Sequence, residues 1–222
     1  MELQGTLLGI GPPRLDPAAV IERIELGPGS WVDVSRGWLL GADTLFDQLI
    51  EEIPWRQGRR LMWGQMVDDP RLTWWPDRVR ASGVTTAVAT AAAAAAAASE
   101  PVDLEVLRAP LVERYGRTLG RPGCNLYRDG RDSVAFHGDR ELRDLEDTLV
   151  AIITLGATRP FLVRADGGGP SIDLRPAAGD LLVMGGSTQR DFEHAVPKCR
   201  TAGPRISITF RTRTRATADR PG

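Results

Sequence analysis

From Cys124 to Thr212 the chain breaks into eight short apolar segments, NLYR, DSVAFHGD, TLVAIITL, RPFLVRA, SIDLR, GDLLVMG, FEHAV and RISITFRT, set apart by turn signals such as DG, GGG and AAGD. Runs this short, rich in β-branched residues and bounded by Gly, Asp and Pro, read as strands. Eight of them within about ninety residues leave no room for helical crossovers and point to an antiparallel sandwich or barrel of jelly-roll type. The fold class expected is therefore mainly β with a jelly-roll core, buttressed on one sheet by helices from earlier in the chain.

Those helices are legible by period. Leu45, Phe46, Leu49, Ile50 and Ile53 recur on one face between Gly41 and Trp55, with Asp43 as the expected N-cap and Pro54 as a stop. A second helix is expected over 102–119, where Leu104, Leu107, Leu111, Val112 and Tyr115 share a face and Pro110 should kink or restart it. Residues 1–40 read as loops and short strands. Between the helices, 56–80 interleaves arginines and tryptophans with no clean period, and an alanine tract follows at 91–98. The tract has no amphipathic face, and no function attaches to it.

Twenty-eight basic and twenty-nine acidic side chains give a net charge of -1, which excludes a polycation that binds nucleic acid through bulk charge. The two cysteines, Cys124 and Cys199, exclude a disulfide scaffold and a cysteine zinc site. No apolar run is long enough to span a bilayer and no secretory signal opens the chain. A soluble cytoplasmic protein is expected, and the Arg-, Ala- and Gly-heavy composition points to a high-GC bacterial genome.

Only two histidines occur, and both fall in expected strands. His137 and Asp139 form an H-G-D at the end of SVAFHGD, where alternation puts both on one face. His194 follows in FEHAV. Two histidines and a carboxylate can hold Fe(II) on one side and leave positions open for O2 and a bidentate co-substrate, although a catalytic zinc also suits the set. In RISITFR, alternation sends Ile206, Ile208 and Phe210 to one face and Arg205, Ser207, Thr209 and Arg211 to the other. Two arginines facing inward require anions opposite, and a dicarboxylate supplies two. Asn125 and Tyr127 share a face of NLYR and can hydrogen-bond the same ligand.

Taken in order, NLYRDGRDSV, His137-x-Asp139-x-Glu141, GATRPF, GDLLVMGG, His194-x-x-Pro197 and GPRISITFR resemble the AlkB-type dioxygenases over roughly residues 60–213. The resemblance implies a double-stranded β-helix and an oxidoreductase using Fe(II), 2-oxoglutarate and O2. It implies His137, Asp139 and His194 as iron ligands and as the catalytic centre. Asn125, Tyr127, Arg205, Thr209 and Arg211 then contact 2-oxoglutarate. The reaction implied is oxidative demethylation of alkylated bases in DNA or RNA, by hydroxylation of an N-methyl group with release of formaldehyde, succinate and CO2. Residues 1–100 are then an N-terminal extension carrying a nucleotide-recognition lid, and 101–222 the catalytic core, within one functional domain.

The lid segment Met62 to Trp75 ends PRLTWW, where the family usually shows PRLTAWY followed by Gly-Asp; here Pro76-Asp77 follows. A base that must be unstacked and clamped makes Trp63, Arg71, Trp74, Trp75, Glu141 and Arg159 the expected substrate contacts. Arg56, Arg59, Arg60, Arg71, Arg78 and Arg80 could track phosphates, with Arg159 and Arg164 as further candidates. The expected partner is alkylated nucleic acid, single strand favoured, met by a monomer with no membrane contact. Two other readings stay open: the same hydroxylation on a small molecule or protein side chain, and a catalytically silent binding module.

Overall fold

The protein was analysed as a computed structural model that describes residues 9–62, 64–75 and 102–213. In chain order the strands are β1 (Arg14–Leu15), β2 (Glu22–Gly27), β3 (Ser30–Ser35), β4 (Leu39–Leu40), β5 (Arg56–Met62), β6 (Gln65–Trp74) and β7 (Gly123–Tyr127). After them come β8 (Val134–His137), β9 (Thr148–Gly156), β10 (Leu162–Ala165), β11 (Ile172–Asp173), β12 (Leu181–Gly186), β13 (Phe192–Val196) and β14 (Arg205–Arg211). The helices are α1 (Ala42–Glu52), α2 (Glu105–Tyr115) and the short α3 (Thr188–Asp191). All eight segments expected after Cys124 form strands.

Among the described residues, eight strands make a main sheet in the order β2-β3-β12-β9-β14-β7-β6-β5, and four make a minor sheet in the order β11-β10-β13-β8. Every pairing in them is antiparallel. Alternation along the central strands gives the main sheet two apolar faces. Ala151, Ile153, Leu155, Leu181, Val183, Ile206, Ile208 and Phe210 pack with Leu45, Phe46 and Leu49 of α1 and Leu107 and Leu111 of α2. On the opposite face Val150, Ile152, Leu182 and Met184 meet Phe161, Val163 and Val196 of the minor-sheet side. The result is a two-sheet jelly roll with helices buttressing one sheet.

Three local expectations are corrected. Asp43 lies in the first turn of α1, and the N-cap is Gly41, in the left-handed region at φ 73°. A Cβ there would stand 2.5 Å from the Gly11 carbonyl oxygen, so the close passage of the 11–12 segment, more than side-chain capping, selects the residue. Helix α2 runs through Pro110 without restarting. Residues 56–74 form the β5–β6 hairpin, joined to the main sheet through Leu72↔Leu126, Thr73↔Asn125 and Trp74↔Cys124. Its strands lacked an apolar period because β5 is mostly exposed.

The main sheet also crosses residue 100. Strands β2 and β3 belong to it through β12, so part of the 1–100 segment lies within the same layer as the core strands. The alanine tract 91–98, Arg78 and Arg80 lie outside the described residues, as does Trp63.

Candidate active site

The two histidines face each other as a registered pair across the minor sheet, His137 on the edge strand β8 and His194 on β13, with ring centroids 4.3 Å apart. Asp139 follows just beyond the end of β8, with its nearer oxygen 4.0 Å from His137 Nε2. One ligand atom from each of the three lies within 4.8 Å of the others. Expected alternation along one strand does not produce this: β8 stops at His137, and Asp139 begins a 3-10 turn, Arg140–Leu142.

Gly138 makes that exit possible. A Cβ on it would stand 2.5 Å from the carbonyl oxygen of Gln189, so only glycine lets α3 close over the loop. The buried Gln189 in turn accepts the Asp139 backbone N–H at 2.9 Å through its Oε1. His137 Nδ1 lies 2.9 Å from the Ala135 carbonyl oxygen, a contact that places the proton on Nδ1 and leaves Nε2 free to ligate. His194 is 6% exposed and flanked by the Phe161 ring, nearly parallel at 5.6 Å. Burial, with His137 beside it, pulls the His194 imidazole down to about 3, so it is neutral at ordinary pH, as a ligand must be.

Burial would raise the Asp139 carboxyl, but Arg211 outweighs it and holds the group far below the usual carboxylate range. Arg211 donates to both oxygens, from Nε at 2.7 Å and Nη2 at 3.2 Å. Donor set, spacing and protonation states fit a divalent metal of the Fe(II) class with one open side.

The cavity beside the triad is lined by Asn125, Tyr127, Ser207, Thr209, Arg211 and, from β6 and its end, Arg71 and Trp75. Alternation in β14 holds as expected: Ile206, Ile208 and Phe210 enter the helix-side core, while Ser207, Thr209 and Arg211 face the cavity. Arg205 is fully buried over the Tyr127 ring at 5.4 Å. Its Nη2 donates to Thr154 Oγ1, while Nε and Nη1 have no hydrogen-bond partner. Burial lowers this guanidinium to about 10, and it stays charged at neutral pH. A buried cation with two unused donors, beside a cavity lined by amide, phenol and hydroxyl groups, fits an anionic ligand. Asn125 Oδ1 accepts from Arg71 Nε at 3.0 Å, which leaves the Asn125 amide hydrogens for that ligand.

The expected substrate contacts divide. Arg71 and Trp75 line the cavity; Trp75 lies flat on Gly123, where a Cβ would run into its ring, and the Arg211 guanidinium stands 4.6 Å over it. Trp74, one residue earlier, points the other way by strand alternation and is 6% exposed in the helix-side core, so it is no base clamp. Arg159 is also corrected: it is 1% exposed, donates to three backbone carbonyl oxygens and stands against the Tyr127 ring at 5.4 Å, so it offers no surface to a base. Glu141 sits exposed in the 3-10 turn and does not share the Asp139 face, because strand geometry has ended by then. Arg164 pairs with Glu193 at 3.0 Å and covers Phe136. Arg59 and Arg60 pair with Asp68 and Asp69 on the hairpin.

Sequence reasoning left Ser207, Phe161 and Gln189 without a role. Ser207 was readable from its place between Arg205 and Thr209. Phe161 and Gln189 had no local signal, since each meets its histidine or aspartate only through the packed sheets.

The sequence pattern of the 2OG-Fe(II) oxygenase superfamily matches residues 41–211. The human alpha-ketoglutarate-dependent dioxygenase alkB homolog 3 is 31% identical over 214 residues, covering 92% of this chain and 70% of that protein. Its bovine counterpart is 32% identical over 202 residues, covering 86% of this chain and 66% of its own length, so the chain spans about two thirds of such relatives. The DNA oxidative demethylase ALKBH2 of Arabidopsis thaliana is 27% identical, over 93% of this chain and 74% of that protein. Among solved structures, a prolyl hydroxylase from Trichoplax adhaerens aligns with a TM-score of 0.55 at 13% identity, over 86% of this chain and 87% of that one, and shares the fold.

Proposed function

We propose, since this chain belongs to the 2OG-Fe(II) oxygenase superfamily and is a 2-oxoglutarate-dependent dioxygenase, that it oxidatively demethylates alkylated bases in nucleic acid. The observation that carries the proposal is a cavity lined by Trp75 and by His137 and His194 of the His/Asp/His set, with the buried Arg205 and its unused donors against Tyr127 of the cavity wall. His137, Asp139 and His194 would hold the iron. With 2-oxoglutarate and O2, the metal supplies the oxidation that hydroxylates an N-methyl carbon, whose product releases formaldehyde while 2-oxoglutarate leaves as succinate and CO2.

The chain's own residues position and neutralise. Arg205, with two unused donors, and Arg211, already bonded to Asp139, put two guanidinium charges on one strand, separated by the hydroxyls of Ser207 and Thr209, which suits an anionic ligand. Asn125 and Tyr127 on the adjacent β7 add donors to the same ligand. Arg211 also keeps Asp139 ionised, so the carboxylate is ready to ligate at any ordinary pH.

On the substrate side, Trp75 and Arg71 form the wall where a flipped base would stack and hydrogen-bond. A base already unstacked costs less to insert, which favours single-stranded substrate, met by a monomer. The β5–β6 hairpin presents exposed Leu61 and Met66 near its turn and exposed Arg56 at its other end, opposite Thr73 and close in sequence to the Arg71 and Trp75 that line the cavity, a surface that suits nucleic acid better than a small metabolite.

The test is binding of a single-stranded oligonucleotide carrying one methylated base across a salt series. Affinity that falls linearly with log salt supports a nucleic-acid substrate. Binding that is absent or flat with salt, while 2-oxoglutarate still binds, would move the same chemistry to a small molecule or a protein side chain.

A further inference from the structure

Strand β8 carries His137 but has weak means of holding it. It is the edge strand of the minor sheet, four residues long, and among the described residues it pairs with β13 alone, through His194↔His137 and Val196↔Val134 with an irregularity between them. Edge strands of this kind slip or fray, and a slip of one residue would turn His137 away from His194. Something outside the ladder must fix both its ends. At the far end, the Gln189 side chain holds the Asp139 N–H.

At the near end the Ser133 N–H donates to the Pro70 carbonyl oxygen at 2.7 Å, and on the turn before it stands Arg159. Its Nη1 donates to the Asp129 carbonyl oxygen at 2.9 Å and its Nη2 to those of Asp132 at 2.8 Å and Pro197 at 2.9 Å. Asp129 and Asp132 belong to the turn that leads into β8, and Pro197 is the first residue after β13. One guanidinium therefore ties the start of the His137 strand to the end of the His194 strand. It is 1% exposed, bonds to no carboxylate, and leaves Nε without a partner. A buried cation held by carbonyl dipoles and the face of the Tyr127 ring, with no carboxylate bonded to it among the described residues, is a poor source of stability, which argues that its fixed three-point geometry is what the site uses. Two residues on, Phe161 flanks the His194 ring, so the same short segment sets strand register and imidazole orientation.

We infer that Arg159 is a positioning residue for the metal centre, clamping the backbone on both sides of the His137/His194 pair so that the two imidazoles share one ion. The inference rests on the proposed metal site.

It is tested by Co(II) titration in the absence of O2, read by visible absorption, on wild type, Arg159→Lys, Arg159→Met, His194→Ala and Leu49→Ala. The last removes a buried side chain of α1 remote from the cavity and reports what general destabilisation does to metal binding. Lysine keeps the charge but cannot bond three carbonyls in a fixed fork. Both Arg159 variants should therefore weaken Co(II) binding by about 10–100-fold, the usual effect of losing a group that orients a ligand. Leu49→Ala should not, even where its thermal midpoint falls as far. At saturating metal, the affinity of the Arg159 variants for 2-oxoglutarate should fall less than their affinity for the metal, since Arg159 meets that ligand's site only through the Tyr127 ring. Wild-type metal affinity in Arg159→Lys, or a loss confined to 2-oxoglutarate binding, would show that charge alone matters and overturn the inference. So would equal losses in Leu49→Ala. Wild-type protein that took up no Co(II), or His194→Ala that bound it as tightly, would instead remove the metal-site reading itself.

Discussion

Replacing Arg205 with methionine should leave the ligand-free protein as stable as the wild type and abolish its stabilisation by 2-oxoglutarate. The residue is 0% exposed, and methionine keeps its aliphatic stem in place. The change removes one charge-assisted bond, Nη2 to Thr154 Oγ1 at 3.1 Å, worth about 1.5–3 kcal/mol. It also removes two buried donors that have no partner, Nε and Nη1, each costing about 1–3 kcal/mol. The two sides balance or favour the variant. In the wild type, a ligand at a hundred times its Kd adds about 2.7 kcal/mol, which at about 2–4 °C per kcal/mol for a chain of this size raises the midpoint by about 5–11 °C. Differential scanning fluorimetry of Mn(II)-loaded protein with and without 2-oxoglutarate reads both quantities. A ligand-free variant that melted more than about 10 °C lower would show that Arg205 is structural. A variant that kept the full ligand shift would show that the unused donors do not face the co-substrate.

Further outcomes follow from single contacts. Gly138→Ala would push a methyl into the Gln189 carbonyl; the loop must move, and metal affinity measured by titration should fall while the far-UV spectrum is retained. Trp74→Ala should cost about 3–5 kcal/mol in urea unfolding because it empties a core position. Trp75→Ala, at the cavity wall, should cost less stability and instead raise KM for a methylated oligonucleotide. Asp132 is 5% exposed and accepts from the Arg128 backbone and from both ends of its guanidinium. Burial would raise this carboxyl, but the Arg128 bonds outweigh it and leave it below its ordinary value. Its stabilisation is then fully present above the unfolded-chain value of about 4 and lost as pH falls through the lower folded value. Asp132→Asn should lower stability at neutral pH by about 1.5–3 kcal/mol and flatten the acid side of the stability curve.

Most of the jelly roll was legible because its strands are buried on two faces or alternate cleanly, as in β9, β12 and β14. The same alternation in β14 placed Ser207, Thr209 and Arg211 in the cavity. It fails where strands end: period two puts His137 and Asp139 on one strand face, but the chain leaves β8 at His137 and enters a 3-10 turn after Asp139. It failed also for the hairpin β5–β6, whose exposed first strand has no core to impose a pattern. Trp74 and Trp75 are adjacent, and composition could not say which faces in; the pairing of Trp74 with Cys124 decides it. Arg159 carried no sequence sign of being buried, since its partners are three backbone carbonyls brought near only by the fold.

The central claim is that the His137/Asp139/His194 cavity couples 2-oxoglutarate turnover to removal of a methyl group from a base. It is tested most directly by incubating the Fe(II)-loaded protein with ascorbate, 2-oxoglutarate and single-stranded oligonucleotides carrying N1-methyladenine or N3-methylcytosine. Base mass, formaldehyde and succinate are read together, with His194→Ala as the control. The account expects loss of one methyl mass with matching formaldehyde and succinate, all absent in the variant. Succinate formed with the methylated base intact would contradict the nucleic-acid assignment, and the same products from His194→Ala would contradict the site.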